Sequence, residues 1–269
     1  MKNARKGEAK MIRKALRLIL VIVASFVTAS NIARADTLKY CNEADFPPFS
    51  YKTPAGNVEG FDIDVANYIC KHMGVECQLV VQEWTGIIPA LNAGKCDVII
   101  SSMTINPDRR KAVLFSKPYY RSPYAFVAPK NLTFEINEQG LKGKTLCMFK
   151  NSTPLKWLDE KFKGVVEIKY YDGAEAIKTD LIAGRCDAWL ETMPSIYGTL
   201  ISKPEGKDYH FVGPQLTDPQ WFGEGVGIAV RLGDEELIRK IDAAVDQMYA
   251  DGTFKKINDK YFPFNLERE

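Results

Sequence analysis

The chain has 269 residues, 46% hydrophobic and 26% charged, with 36 basic and 34 acidic side chains and a formal charge of +2. The positive sign comes from the first 35 residues, which carry eight lysines and arginines against Glu8 alone, so the rest of the chain has a charge of about −5. That balance argues against nucleic acid or an anionic membrane as a partner, and the remaining stretch of about 234 residues makes one large domain or two compact lobes.

Residues 1–35 read as an export signal. Lys2, Arg5, Lys6, Lys10, Arg13, Lys14 and Arg17 form a basic start, and Leu18 to Val27 is apolar apart from Ser25. Ala33-Arg34-Ala35 then gives a small-x-small cleavage site before Asp36. The apolar run is too short to span a bilayer as a helix, so an exported, soluble product released near Ala35 is expected. Six cysteines in such a chain favour disulfides over metal. None forms a CxxC pair, and His72 and His210 are isolated, which argues against a zinc site.

From Leu38 to Cys41 the chain begins as a strand, and Phe61 to Ile69 has helical spacing. Cys70 and Cys77 flank a short segment that leaves this helix and enters a strand at Cys77 to Val81, an arrangement suited to a small-loop disulfide. Ile87 to Leu91 is helical before Gly94, and Cys96 to Ile100 is an apolar strand. Ser101-Ser102-Met103-Thr104-Ile105-Asn106-Pro107-Asp108-Arg109 follows it. Hydroxyls and backbone N–H groups emerge there at the carboxyl end of a strand, where open α/β sheets bind ligands, and a guanidinium fork follows across a Pro-Asp turn. The combination suits a carboxylate. The same residues would also serve as a plain surface turn with a solvated Arg109-Arg110-Lys111 run.

Alternation of strand and helix implies a largely parallel sheet wrapped by helices. The phrase Leu91-Asn92-Ala93-Gly94-Lys95-Cys96-Asp97 then recurs as Leu181-Ile182-Ala183-Gly184-Arg185-Cys186-Asp187, each a helix end, a glycine cap and a strand start. Gly143 to Cys147 opens a second set of strands. Two related α/β lobes fit this repeat, with one further disulfide expected in each, Cys147 with Cys186 and Cys41 with Cys96. Gly225 to Val230 reads as a strand running back between the lobes. Asp234 to Tyr261 reads as an amphipathic helix followed by a shorter one.

Four segments carry a resemblance over nearly all of the exported chain. They are Phe46-Pro47-Pro48-Phe49 ahead of Gly60-Phe61-Asp62-Ile63-Asp64; Trp84 to Leu91; Ser101 to Arg109; and Met248-Tyr249-Ala250-Asp251-Gly252-Thr253-Phe254. In this order and spacing the chain resembles the periplasmic solute-binding proteins of polar amino-acid ABC transporters, the group of the histidine- and lysine/arginine/ornithine-binding proteins. The Cys70–Cys77 spacing matches a disulfide of that group. The resemblance implies an α/β periplasmic-binding-protein fold of two lobes, 36–122 plus 229–269 and 123–228. Each would be a mainly parallel sheet flanked by helices, and two crossing hinge strands would join them. It further implies a periplasmic monomer without a cofactor that closes on a small amino-acid-like ligand and hands it to a membrane ABC permease.

Carried onto this sequence, the resemblance makes Arg109 the clamp on an α-carboxylate, with Ser101, Ser102 and Thr104 supporting it. Trp84 and Phe46 would stack on the ligand's body, and Phe149, Ser152 and Thr153 would complete the cradle from the second lobe. Glu43 falls on an acidic position that holds a ligand's cationic end. One position departs from the group: the aspartate that grips the ligand's α-ammonium is replaced by Thr192, whose hydroxyl brings no charge. Glu191 is adjacent, but neighbouring side chains on a strand face opposite ways. Either Glu191 takes over in an ordinary amino-acid binder, or the ligand's amine is substituted, as in opine-like conjugates. Two competitors come from other classes. The same fold hosts dehydratases of cyclic carboxylic acids, for which Glu191 or Glu43 would be a general acid, although no paired acid–base set or nucleophile–histidine pair is legible. A detached sensor module is the other.

Overall fold

Buried apolar runs alternate with amphipathic helices along residues 36–266 and 268, the part of the chain that the structure, a computed structural model, describes. The expected export signal lies outside the described residues. In chain order the elements are β1 (Thr37–Asn42), β2 (Asp45–Phe46), β3 (Ser50–Lys52), β4 (Val58–Glu59), α1 (Phe61–Met73), β5 (Glu76–Val81), a 3-10 turn (Trp84–Gly86), α2 (Ile87–Asn92), β6 (Val98–Ile99), α3 (Pro107–Arg110) and β7 (Val113–Phe115). Then follow β8 (Tyr124–Pro129), α4 (Glu138–Leu141), β9 (Thr145–Phe149), α5 (Pro154–Phe162), β10 (Glu167–Tyr171), α6 (Ala174–Ile182), β11 (Ala188–Thr192) and α7 (Met193–Ile196). After a π turn (Tyr197–Ile201), the chain closes with β12 (Tyr209–Leu216), α8 (Pro219–Phe222), β13 (Ala229–Arg231), α9 (Glu235–Ala250) and α10 (Thr253–Tyr261).

Two five-stranded sheets give the two lobes, in the orders β5-β1-β6-β13-β7 and β10-β9-β11-β8-β12. In each, the first three strands run parallel and the fourth is antiparallel to its neighbours. Helices cover these sheets, so central strands such as β6 and β11 are buried on both faces, β6 being wholly apolar and β11 apolar up to Leu190. Helix α9 buries Ile241, Ala244, Val245 and Met248, the i, i+3, i+4, i+7 stripe of an amphipathic helix, and leaves its charged side outward.

The repeated phrase has one meaning in both lobes. Gly94 (φ 73°) and Gly184 (φ 69°) end helices in the left-handed region, where a glycine costs least. Asp97 and Lys39 then exchange two hydrogen bonds, as do Asp187 and Thr145. Disulfides tie the same strands: Cys41 to Cys96 and Cys147 to Cys186, each with a Cα separation of 5.7 Å. Cys70 and Cys77 pair across the turn between α1 and β5. All three expected pairings are present.

The returning segment differs from its expected form. Only Ala229–Arg231 joins a sheet, whereas Val226 bridges Thr104 and Tyr120. Gly223 (φ 86°) and Gly225 (φ 123°) turn the chain while it crosses from one sheet to the other. Its backbone partners there lie in the other crossing segment and the Ser101–Arg109 loop: the Val226 N–H donates to Tyr120 O, and the Gly227 N–H to Met103 O.

Candidate functional site

At the carboxyl ends of both sheets the strands stop and short turns carry polar side chains into a shared cavity. It is lined by Glu43, Phe46, Trp84, Ser101, Ser102, Thr104 and Arg109 from one lobe and by Phe149, Ser152, Thr153, Glu191 and Thr192 from the other. Every residue singled out in the sequence is therefore on this wall. Two were missed, Tyr120 and Tyr124, which come from the first crossing segment and the start of β8. Their apolar neighbourhood reads as core in the sequence, and both are indeed almost fully buried.

Local chemistry explains how each group is aimed. Asn42 is buried at the end of β1; its amide donates to Ile100 O at 2.7 Å and its Oδ1 accepts the Ala44 N–H at 2.8 Å. That clamp turns the chain, with Ala44 at φ 56°, and presents Glu43 inward. The Glu43 N–H donates to Ser101 Oγ at 3.2 Å. Asn106 caps α3 by accepting the Arg109 N–H at 2.9 Å, which sends the Arg109 side chain back over its own loop. Ser102 (φ 46°) and Asn151 (φ 55°) are non-glycine residues in the left-handed region, a conformation often concentrated at binding sites.

Arg109 joins the two lobes. One terminal nitrogen donates to Thr104 O at 2.9 Å and the other to Asn151 O at 3.1 Å, and the guanidinium carbon stands 4.8 Å from the Trp84 ring centre. Among the described residues no carboxylate pairs with it. Burial pulls its pKa down, while Tyr124, Glu191 and Glu43 pull it up, so it stays a cation. Two carbonyls leave a five-donor fork with unused capacity facing the cavity.

Two carboxyls oppose it. Burial pushes Glu191 up to about 7, against the Thr192 N–H that donates to its Oε1 at 2.7 Å and the charge of Arg109. Glu43 is pushed well above the usual carboxylate range, first by burial and then by Asp45, Asp62 and Glu191. The strand rule that set Glu191 and Thr192 on opposite faces does not hold here, because both line the cavity. Strand β11 ends at Thr192, which starts the turn into α7, and the Glu191 carboxyl folds back onto the next N–H. Across the cavity, Ser152 Oγ is buried without a hydrogen-bond partner among the described residues. Such an orphaned hydroxyl is costly unless a ligand's polar group meets it.

The comparisons with known proteins agree with this geometry. Residues 38–264 match the model of the bacterial extracellular solute-binding proteins, family 3. The chain belongs to that family. It is 40% identical over 254 residues to the L-arginine-binding protein of Pseudomonas aeruginosa, covering 94% of this chain and 98% of that one. A solved ancestral arginine-binding protein bound to arginine superposes with a TM-score of 0.77 at 35% identity, over 85% of this chain and 99% of the other. An ancestral amino acid-binding protein described as a precursor of cyclohexadienyl dehydratase superposes with a TM-score of 0.72 at 30% identity, over 84% and 95%. The family-3 fold of two lobes, each with its own sheet, is the one described above, and the expected resemblance holds.

Proposed function

We propose that this family-3 protein captures a cationic amino acid, arginine fitting best, outside the inner membrane and delivers it to an ABC permease when its lobes close. The observation that carries this reading is the charge set of one buried cavity: the guanidinium of Arg109 faces the carboxyls of Glu43 and Glu191. An amino acid with a cationic tail has one carboxylate and two positive groups, so each site charge finds a counterpart. A neutral tail leaves a carboxyl unpaired, which a dry site penalises. Glu191 supplies the anionic partner for the α-ammonium that Thr192 lacks. Phe46, Trp84 and Phe149 cover the aliphatic body, and Ser101, Thr104, Ser152 and Thr153 complete the carboxylate cradle.

Residues 36–122 with 229–269 act as one lobe and 123–228 as the other. The ligand touches both only when they meet, so binding stabilises the closed form that a permease would recognise. The protein acts as a monomer, without a cofactor and without turnover, after release from its signal near Ala35. Thermal unfolding of residues 36–269 against the common amino acids, ornithine, citrulline and N-substituted opines tests this. A clear rise in midpoint with arginine, lysine or ornithine is expected. Shifts confined to N-substituted compounds, or turnover of a bound cyclic carboxylic acid, would overturn it.

A further inference from the structure

Asp62 is a buried carboxyl that the proposed ligand contacts leave unused. It lies in the first turn of α1, fully buried, and does not line the cavity. Ser102 Oγ donates to its Oδ2 at 2.7 Å, and the Tyr119 hydroxyl donates to its Oδ1 at 2.7 Å. Among the described residues no cation pairs with it. Burial pushes it up to about 7, against the pull of those two hydroxyls and of the Ser102 backbone N–H. A buried carboxyl without a counter-charge is a costly way to fill space.

Its chemical effect falls on Ser102. A serine hydroxyl has one proton to give and two lone pairs. Since Ser102 gives its proton to Asp62, the oxygen keeps only acceptor capacity, on a residue that lines the cavity. Tyr119 keeps the carboxyl from turning away. Its hydroxyl holds Oδ1, its N–H donates to Val226 O at 2.9 Å, and its carbonyl accepts from the Tyr249 hydroxyl at 2.7 Å. The trio thus anchors a cavity-wall hydroxyl to α1 and to a crossing segment.

We propose that Asp62 is a positioning residue that makes Ser102 a dedicated hydrogen-bond acceptor for the ligand's α-ammonium, beside Glu191. This rests on the reading of the site as one for an amino acid with a free amine. With Thr192 bringing no charge, a fixed acceptor on the opposite lobe carries more of the selection for that amine than a freely rotating hydroxyl would. A freely rotating hydroxyl can offer an ammonium a lone pair only by giving up its rotational freedom, and it can equally well donate to a ligand that lacks the amine.

The test uses residues 36–269 and a Tyr119→Phe background, so that removing the carboxyl strands no tyrosine hydroxyl. Calorimetric titrations compare arginine with 5-guanidinopentanoate, which is arginine without its amine. Tyr119→Phe sets the reference affinity for both compounds, and adding Asp62→Leu is expected to weaken arginine about tenfold relative to that background while sparing the desamino compound. Ser102→Ala in the same background should give the same amine-selective loss, and combining it with Asp62→Leu should add nothing. Equal losses for both compounds, or additive losses for the two substitutions, would overturn the proposal. Should the Asp62→Leu protein not fold, Ser102→Ala decides alone, a selective loss supporting the proposal and an equal or absent loss overturning it. A parent protein that binds neither compound overturns the proposed function and this inference together. Binding by the parent with non-selective losses overturns this inference only.

Discussion

In the first lobe, β1 and the entry to β6 are stitched by a disulfide and by the Asp97–Lys39 pair, and the turns after them carry Glu43, Ser101, Ser102 and Arg109. In the second lobe, β9 and the entry to β11 are stitched in the same way, yet the turn after β9 and the end of β11 carry Ser152, Thr153, Glu191 and Thr192. The shared scaffold sets where a ligand sits; the loop residues set what it is. The first lobe supplies the fixed cation and the aromatic shelf, with its polar groups already tied to Asn42, Asn106 and Asp62. The second supplies short hydroxyls, of which Ser152 Oγ has no partner among the described residues, and one acid whose ionisation is poised near neutrality. A prearranged half and a responsive half suit capture first on one lobe and closure by the other.

Substitutions that separate the halves should differ in scale. Arg109→Ala removes the charge-assisted clamp from the first lobe, and calorimetry should record a loss in arginine affinity of about a thousandfold, on the order of 4 kcal/mol. A loss below about tenfold would move the carboxylate elsewhere. Next comes closure itself. Gly198 in the second lobe lies against the Pro48 ring of the first, where a Cβ would collide, and the Thr199 hydroxyl donates to Pro47 O at 3.2 Å beside it. Gly198→Val should leave the ligand-free protein folded, keep it open by small-angle scattering, and weaken binding about a hundredfold.

Glu191→Gln, in the responsive half, should cost about tenfold in arginine affinity. It should also flatten the pH profile, whose sign follows from the burial of these carboxyls. Glu191 and Asp62 are held up at about 7 in the folded chain, above their unfolded values. Their stabilising contribution is therefore complete below the unfolded values and lost as pH rises through 7. The ligand-free melting midpoint should fall between about pH 5 and 8 while arginine affinity rises over the same span, since two positive groups need ionised partners. An affinity that falls with pH in that window would contradict the pairing of Glu191 with a cation. The smallest effect on binding should come from the disulfide outside the cleft. Replacing Cys70 and Cys77 by serine opens a loop with a sequence separation of only 7 and should leave arginine affinity unchanged. The stability cost is roughly 2 kcal/mol by loop entropy, against roughly 4 kcal/mol for Cys147 and Cys186.

Much of this architecture is legible without coordinates because it rests on local rules. Apolar runs bounded by glycines mark strands and helices, the recurrence of Leu-x-Ala-Gly-[basic]-Cys-Asp points to two related lobes with a cysteine at the same place in each, and hydroxyls at a strand end followed by an arginine mark the cradle. Where local rules meet a change of direction they stop working. The returning strand shortens to Ala229–Arg231 because its first residues cross between sheets, and Glu191 joins Thr192 on the cavity wall because the strand ends there. Tyr120 and Tyr124 are equally invisible in advance, since aromatic residues in an apolar run look the same whether they pack or line a cleft.

Sequence by itself determined the alternation of strand and helix, the repeat, the Cys70–Cys77 pair and the identity of the charged groups, because each depends on residues close along the chain or on a pattern that recurs. Tertiary structure alone decided that Arg109 reaches across to Asn151 O, that Glu43 is buried within range of Asp62 and Glu191, and that Asp62 accepts a hydrogen bond from the Ser102 hydroxyl. These depend on groups distant along the chain, 40 or more positions apart in the two hydrogen bonds, brought to where burial, rather than residue type, sets whether a carboxyl is charged.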